Sequence, residues 1–318
     1  MQQFTKSLVI FIGLFIVKAS IAGPWFTGPL LAPAGHTIPA GHTNFEFYAI
    51  NVFTNGQYNS SGQVVRTPLF RTFVANPILS HGFTDFLDVQ MTVPYAFNST
   101  RGVNYNRLTD VSTAIGLQFF EQKGDPKRMD VRLLIQETFP TGRYDHLNPA
   151  LFGTDATGLG SYQTQIGLNL QYLLEVFKDH YLRTRLIASR IYSSNVKVDG
   201  LSSYGGTINT HGTVKPGIEN DIDLAFEFTL TQNWVAVMEG YLSTGTSTRF
   251  NGILNISSVG SPPIANIGSG SFRENALAPA IEYNFNENIG LIGGVWFPVK
   301  GVNTSHFMTY MLALNAFW

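Results

Sequence analysis

The chain has 318 residues, of which 13% are charged and 13% aromatic, with 31 glycines, no cysteine and a formal net charge of −1. These values exclude a disulfide scaffold, thiol chemistry and the strongly basic balance of a nucleic-acid partner. A mean hydropathy of +0.06 excludes a bundle of membrane-spanning helices, and a charged fraction near half the globular norm of about 25% fits a wall that is apolar on one side and wet on the other.

The first 22 residues have the three parts of a secretory signal. Lys6 supplies the positive charge, Leu8 to Val17 is an unbroken apolar run, and Ser20-Ile21-Ala22 is a small-x-small cleavage site. The apolar run is too short to span a bilayer as a helix, so the mature chain is expected to begin at Gly23. Residues 23–43 are rich in Pro and Gly and repeat Ala34-Gly35-His36-Thr37 as Ala40-Gly41-His42-Thr43. An irregular arm on the periplasmic side of the first strand is the expected role. His36 and His42 have no third ligand nearby, so no metal site is read here.

From Asn44 onward the sequence alternates between apolar and polar residues in about twelve segments: 44–54, 66–81, 86–97, 109–121, 128–139, 160–177, 181–193, 219–230, 234–244, 272–285, 289–298 and 305–318. In the sixth, Tyr162, Thr164, Ile166, Leu168, Leu170, Tyr172 and Leu174 fall on one face. Gln163, Gln165, Gly167, Asn169 and Gln171 fall on the other. A helix would scatter these apolar residues around its circumference, whereas a strand gathers them on one side. Tight turns at Gly82–Asp85, Gln122–Lys127, Lys178–His180, Thr231–Asn233 and Asn286–Asn288 alternate with long polar loops over 55–65, 98–108, 140–159, 194–218 and 245–271. A shorter loop covers 299–304. Such asymmetry is expected of a transmembrane barrel with periplasmic turns and extracellular loops. The last segment sets Met308, Tyr310, Leu312, Leu314, Ala316 and Trp318 on one face. It is expected to pair with the first strand and remove the sheet edge. The fold class is therefore all-β, a closed antiparallel transmembrane β-barrel of about twelve strands in residues 44–318.

Four stretches also resemble a known family. They are Gly82-Phe83-Thr84-Asp85 with the following LDVQMTVPY, the strand ending Phe139-Pro140-Thr141-Gly142, Leu277-Ala278-Pro279-Ala280-Ile281-Glu282-Tyr283, and the hairpin through Gly294, Pro298, Gly301 and Asn303. Together they resemble the outer-membrane proteins of the "MetA-pathway of phenol degradation" family. The resemblance implies an outer-membrane barrel that transports small organic molecules, and it carries over no catalytic or ligand-binding residue.

The residues themselves contain no Gly-x-Ser-x-Gly and no close Ser/His/Asp grouping, so no enzyme, no cofactor and no catalytic residue is expected. An Asp145-His146 pair in a long loop reads as solvated loop charge. The polar faces carry more meaning, because an unpaired Arg or Lys facing lipid near the midplane costs about 2–4 kcal/mol. Asp88, Gln90, Arg132, Gln136, Gln165, Arg183, Arg185, Asp221, Asp223, Glu227 and Glu239 are accordingly expected to face inward as pore-lining residues. Arg183 and Arg185 start one strand low in the barrel and Glu227 ends the next, so a low Arg/Glu cluster is expected, with Asp221 and Asp223 nearer the outer mouth. The function expected is an outer-membrane channel for passive passage of small, apolar or aromatic molecules. The alternative is a barrel without transport whose long loops act in surface interaction or adhesion. Expected partners are outer-membrane lipid, lipopolysaccharide and the barrel-assembly machinery, the last acting through the strand ending at Trp318.

Overall fold

The computed structural model describes residues 23–254 and 267–318. The expected signal at 1–22 and part of the predicted 245–271 loop lie outside the described residues. Along the chain the strands are β1 (Thr43–Tyr58), β2 (Val64–Thr84), β3 (Leu87–Thr92), β4 (Tyr95–Thr100), β5 (Val103–Leu108) and β6 (Val111–Phe120). There follow β7 (Asp130–Phe139), β8 (Gln163–Phe177), β9 (His180–Ser193), β10 (Val196–Asp199), β11 (Thr210–Lys215) and β12 (Glu219–Thr229). The last are β13 (Trp234–Gly245), β14 (Arg249–Leu254), β15 (Phe272–Asn284), β16 (Ile289–Val302) and β17 (Ser305–Phe317).

Twelve of these, β1, β2, β3, β6, β7, β8, β9, β12, β13, β15, β16 and β17, pair in that order, each antiparallel to its neighbour. β1 pairs with β2 on one side and with β17 on the other, which closes the sheet into a barrel with no free edge in the wall. Each of the twelve alternating segments contributes one wall strand. The period-two pattern is therefore the feature that builds the fold, since it sets one face of every strand toward lipid and the other toward the lumen.

The outer surface has the three bands of a membrane-spanning barrel. Exposed Leu79, Met91, Ile115, Ile166, Leu224 and Leu312 belong to a middle band of aliphatic side chains. Exposed Phe83, Phe86, Phe120, Phe177, Trp234 and Phe285 form a girdle at the short-turn end, and Phe97, Phe139, Tyr162, Tyr192 and Tyr310 form another toward the long loops. Aromatic rings suit these two levels, where an apolar body meets a polar boundary.

Strands also form where long loops were expected. The wall strand begun by β3 is interrupted at Val93-Pro94 and resumes as β4, which pairs with both β2 and β5. Pro94 has no N–H to give the ladder, which accounts for the break. Arg101 and Gly102 turn this hairpin with φ of 51° and 80°, the left-handed pair that a two-residue hairpin turn requires. β10, β11 and β14 make a second, three-stranded antiparallel sheet. Buried Val196, Val198 and Val214 form its core with Tyr144, Tyr204 and Phe250 against them. At the other end, the turn expected at Gly82–Asp85 falls at Asp85-Phe86, because Gly82 to Thr84 continue β2.

Candidate functional site

The inner face of the wall is polar, and the arm lies inside it. Sequence alone left open whether residues 23–43 enter the lumen; here Gly23–His42 run across its short-turn half. An irregular segment enclosed by the wall must find a partner for each backbone N–H. Pro24, Pro29, Pro33 and Pro39 remove four such donors from the problem. Wall carboxylates and amides take most of the others. Thr27 and Gly28 donate backbone N–H to the two carboxylate oxygens of Glu282, at 2.8 and 3.3 Å. Leu30, Leu31 and Ala32 donate to Glu239, at 2.6, 3.0 and 2.9 Å. Thr37 N–H reaches Oε1 of Gln118 at 2.7 Å and Ile38 N–H reaches Oδ2 of Asp88 at 2.9 Å.

Wall arginines and amides satisfy the arm's carbonyls. Arg185 Nη1 donates to the carbonyl of Ala32 at 3.0 Å, while Arg132 Nη1 and Asn169 Nδ2 both donate to that of Ala34, at 3.2 and 3.1 Å. The Arg183 guanidinium stands over the Phe26 ring, 4.1 Å from its centroid. Leu30 packs into a buried apolar cluster with Val235, Val237, Ala278, Ile292 and Met311. The direct repeat is split by this path. Gly35 is pressed against Gln171, which leaves no room for a Cβ, and His36 meets the same glutamine. His42 of the second copy stacks on Phe317 at the rim.

The expected low Arg/Glu cluster is present. β9 and β12 pair with Arg183 opposite Glu227. Arg183 Nε donates to Glu227 at 2.6 Å, its Nη2 to the other oxygen, and Arg185 Nε lies 3.3 Å from the same carboxylate. Arg132 and Asp88 form a second buried pair at 2.6 Å. The Glu227 carboxylate has no solvent exposure and is compensated by two guanidinium groups, so the trio carries a net positive charge against the arm.

A cavity of about 820 Å³ lies beside the arm, inside the wall. It is bounded by Asn44, Glu287 and Phe317 at the short-turn end and reaches Gln165 and Asp221 near the long-loop end. Of the expected inward residues, Asp88, Gln90, Arg132, Gln165, Arg183, Arg185, Asp221 and Asp223 border it. Glu227 and Glu239 face inward but are fully buried beneath the arginines and the arm. Gln136, opposite Gln165 in register, bonds Thr138 and does not border the cavity.

The sequence reading missed Glu282, Glu46, Gln118, Gln171 and Asn169. Each sits at an inward position of its strand, so the alternation that selected Glu239 could have selected them. For Glu282, Gln118, Gln171 and Asn169 the function of clamping the arm had no local signal, whereas Glu46 accepts from Asn315 and borders the cavity. At the long-loop end, Asp145 and His146 meet the second sheet. His146 lies 3.4 Å from Asp145 and 3.5 Å from Asp199, and His211 lies 2.7 Å from Asp199.

No family model matches the chain, and no curated protein matches it. Among solved structures it is similar to an outer membrane channel of Pseudomonas putida F1, with 14% identity, 91% of this chain and 100% of that one covered, and a TM-score of 0.69. Weaker likenesses are to the NanC porin, with 11% identity, 85% and 98% coverage and a TM-score of 0.42, and to the TodX monoaromatic hydrocarbon channel, with 10% identity, 87% and 91% coverage and a TM-score of 0.37. The first likeness carries the fold, a closed twelve-stranded antiparallel barrel.

Proposed function

We propose that this chain is an outer-membrane channel that passes small, apolar or aromatic molecules by diffusion, with residues 23–42 as its internal closure. The observation that carries the reading is the cavity of about 820 Å³, which runs from Asn44, Glu287 and Phe317 at the short-turn end up to Gln165 and Asp221. Its volume lies in the range that holds an organic molecule of drug size. Apolar and aromatic groups, among them Tyr48, Ile50, Ile78, Ile187, Trp296 and Met311, share its lining with the charged groups. The charges low in the lumen are tied to one another or to the arm, so an apolar solute meets little unpaired charge there. Asp88, Gln90, Arg132, Gln165, Arg183, Arg185, Asp221 and Asp223 are its pore-lining residues under this reading, with Glu227 and Glu239 acting through the groups that cover them and Gln136 facing inward outside the cavity.

The fold shared with the Pseudomonas putida channel agrees with this function, and the resemblance to the MetA-pathway family implies transport of small organic molecules in general. The two aromatic girdles support residence in the outer membrane, with lipid and lipopolysaccharide around the wall. β17 is the strand offered to the assembly machinery, after removal of residues 1–22. The test is flux in liposomes. Vesicles holding the purified protein should admit benzyl alcohol and similar small aromatics faster than vesicles without it. Planar bilayers should show discrete conductance steps. Equal entry with and without protein, and no steps, would refute the channel.

A second reading has its own support. The β4–β5 hairpin and the β10–β11–β14 sheet build a folded crown above the barrel, suited to surface interaction or adhesion. Flux separates the two, since a crown acting alone requires none.

A further inference from the structure

We infer that the outer half of the lumen is a binding site for an organic cation, an ammonium head on an apolar or aromatic body, with Asp221 and Asp223 taking the head and Tyr241 and Trp296 the body. The inference rests on the channel reading and narrows its solute class. Asp221 and Asp223 are successive inward residues of β12, so their Cα atoms are about 7 Å apart. Both border the cavity. Asp223 is only 4% exposed, and Oδ1 of each carboxylate is buried with no hydrogen-bond partner among the described residues. A buried carboxylate oxygen without a donor is costly and asks for one.

No described cation supplies it. Neither aspartate forms an ion pair among the described residues, whereas Asp88 and Glu227 lower in the lumen both do. Arg185 is diagonal to Asp223 across the β9–β12 ladder, but its guanidinium is turned to Glu227 and to the Ala32 carbonyl. Of the hydroxyls beside Asp221, that of Ser243, opposite it on β13, donates to Glu219 at 3.0 Å, and that of Tyr241 lies against the Asp221 carboxylate, which still leaves Oδ1 without a partner.

The second half of the site is aromatic. Tyr241 stands directly opposite Asp223 on β13, where side chains on one face are in contact range. Trp296 meets Tyr241 edge to face, with ring centroids 5.9 Å apart, and both border the same cavity. Ring faces beside paired carboxylates are the arrangement that holds an ammonium and its apolar body together. An anion would meet two carboxyl groups that no described cation accompanies, and an apolar solute without a donor would leave both Oδ1 atoms unpaired.

The test uses the full chain in detergent, with calorimetric binding of 2-phenylethylamine, 2-phenylethanol and phenylacetate. These share a ring and differ in charge. The ammonium should bind at least about tenfold more tightly than the alcohol, with phenylacetate weakest. Asp221→Asn with Asp223→Asn should abolish the preference while the heat-dependent gel shift of the barrel is kept. Asp221→Asn alone serves if the double variant does not fold, and should reduce the preference. Equal binding of amine and alcohol, or a preference that survives in a folded variant, overturns the inference. Because binding is read in detergent, the channel reading fails separately. An amine preference without solute entry into liposomes sinks the channel and keeps the site, and entry without preference does the reverse.

Discussion

Three consecutive backbone amides, those of Leu30, Leu31 and Ala32, converge on the one carboxylate of Glu239, which has no exposure to solvent. Glu239→Ala leaves those donors without their acceptor, at about 1–3 kcal/mol for each one left unsatisfied. The arm should then leave the wall, because displacement lets water serve the amides. Chymotrypsin, which would cut near Trp25, Phe26 or Leu30, should cleave the folded Glu239→Ala protein and spare the parent. Equal resistance would show that the other clamps suffice. Arg183→Ala has a different consequence. It leaves Glu227 to Arg185 alone, and breaking a buried ion pair costs about 3–5 kcal/mol. The temperature at which the folded gel band is lost should fall accordingly. Arg183→Met, which keeps the Glu227–Arg185 pair and refills most of the vacated space, should lose less than Arg183→Ala. The Arg183–Glu227 pair was legible in sequence, because two strands joined by one loop were expected to be neighbours and each residue's distance from its short turn set its height. The partners of Glu239 were not, since no periodicity tells where an irregular, proline-rich segment goes.

β17 pairs with β1 from Phe317 opposite Asn44 to Ser305 opposite Gln57, and Trp318 exchanges two backbone hydrogen bonds with Thr43, at 2.7 and 2.9 Å. It is also the partner of β16. Without residues 305–318, the facing edges of β1 and β16 would present unpaired N–H and C=O groups to lipid, at several kcal/mol each. Deletion of that stretch is expected to leave unassembled, protease-sensitive protein. Trp318→Asp, which puts a charge in the aromatic girdle at an exposed position, should lower barrel yield in cells. Normal yield from Trp318→Asp would take the side chain out of assembly. Wall strands such as β17 were legible because lipid on one side and polar lumen on the other force a strict alternation. β10, β11 and β14 were not, because a small sheet outside the membrane is under no such constraint. Their buried valines alternate over only two or three positions. β4 and β5 were only partly legible: segment 86–97 took in Tyr95 to Phe97, but residues 98–108 are polar enough to read as a loop.

At the scale of the whole barrel, wall and arm solve each other's electrostatic problem. The inward carboxylates of Glu239 and Glu282 would otherwise need water or cations, and the arm's N–H groups would otherwise need water. Each set satisfies the other, and the lumen is narrowed as a result. The arm is joined to the wall by hydrogen bonds rather than by ladder pairing, so its removal opens no edge. Deleting residues 23–38 while keeping Pro39–Thr43, which lead into β1, is therefore expected to leave a folded barrel whose lower charges are hydrated. Conductance should rise several-fold over the full chain, with Glu239→Ala lying between the two. The charge pairs Arg183–Glu227 and Arg132–Asp88 should survive the deletion, because their partners are both on the wall. Loss of the gel shift in the deleted protein would mean that the arm is part of the fold rather than its closure. A folded, deleted barrel that conducts no better than the full chain would mean that the constriction lies elsewhere, at the level of Tyr241 and Trp296 or in the loop crown. In that case Trp296→Ala, which removes the larger ring of that pair, is the substitution that should raise conductance in its place.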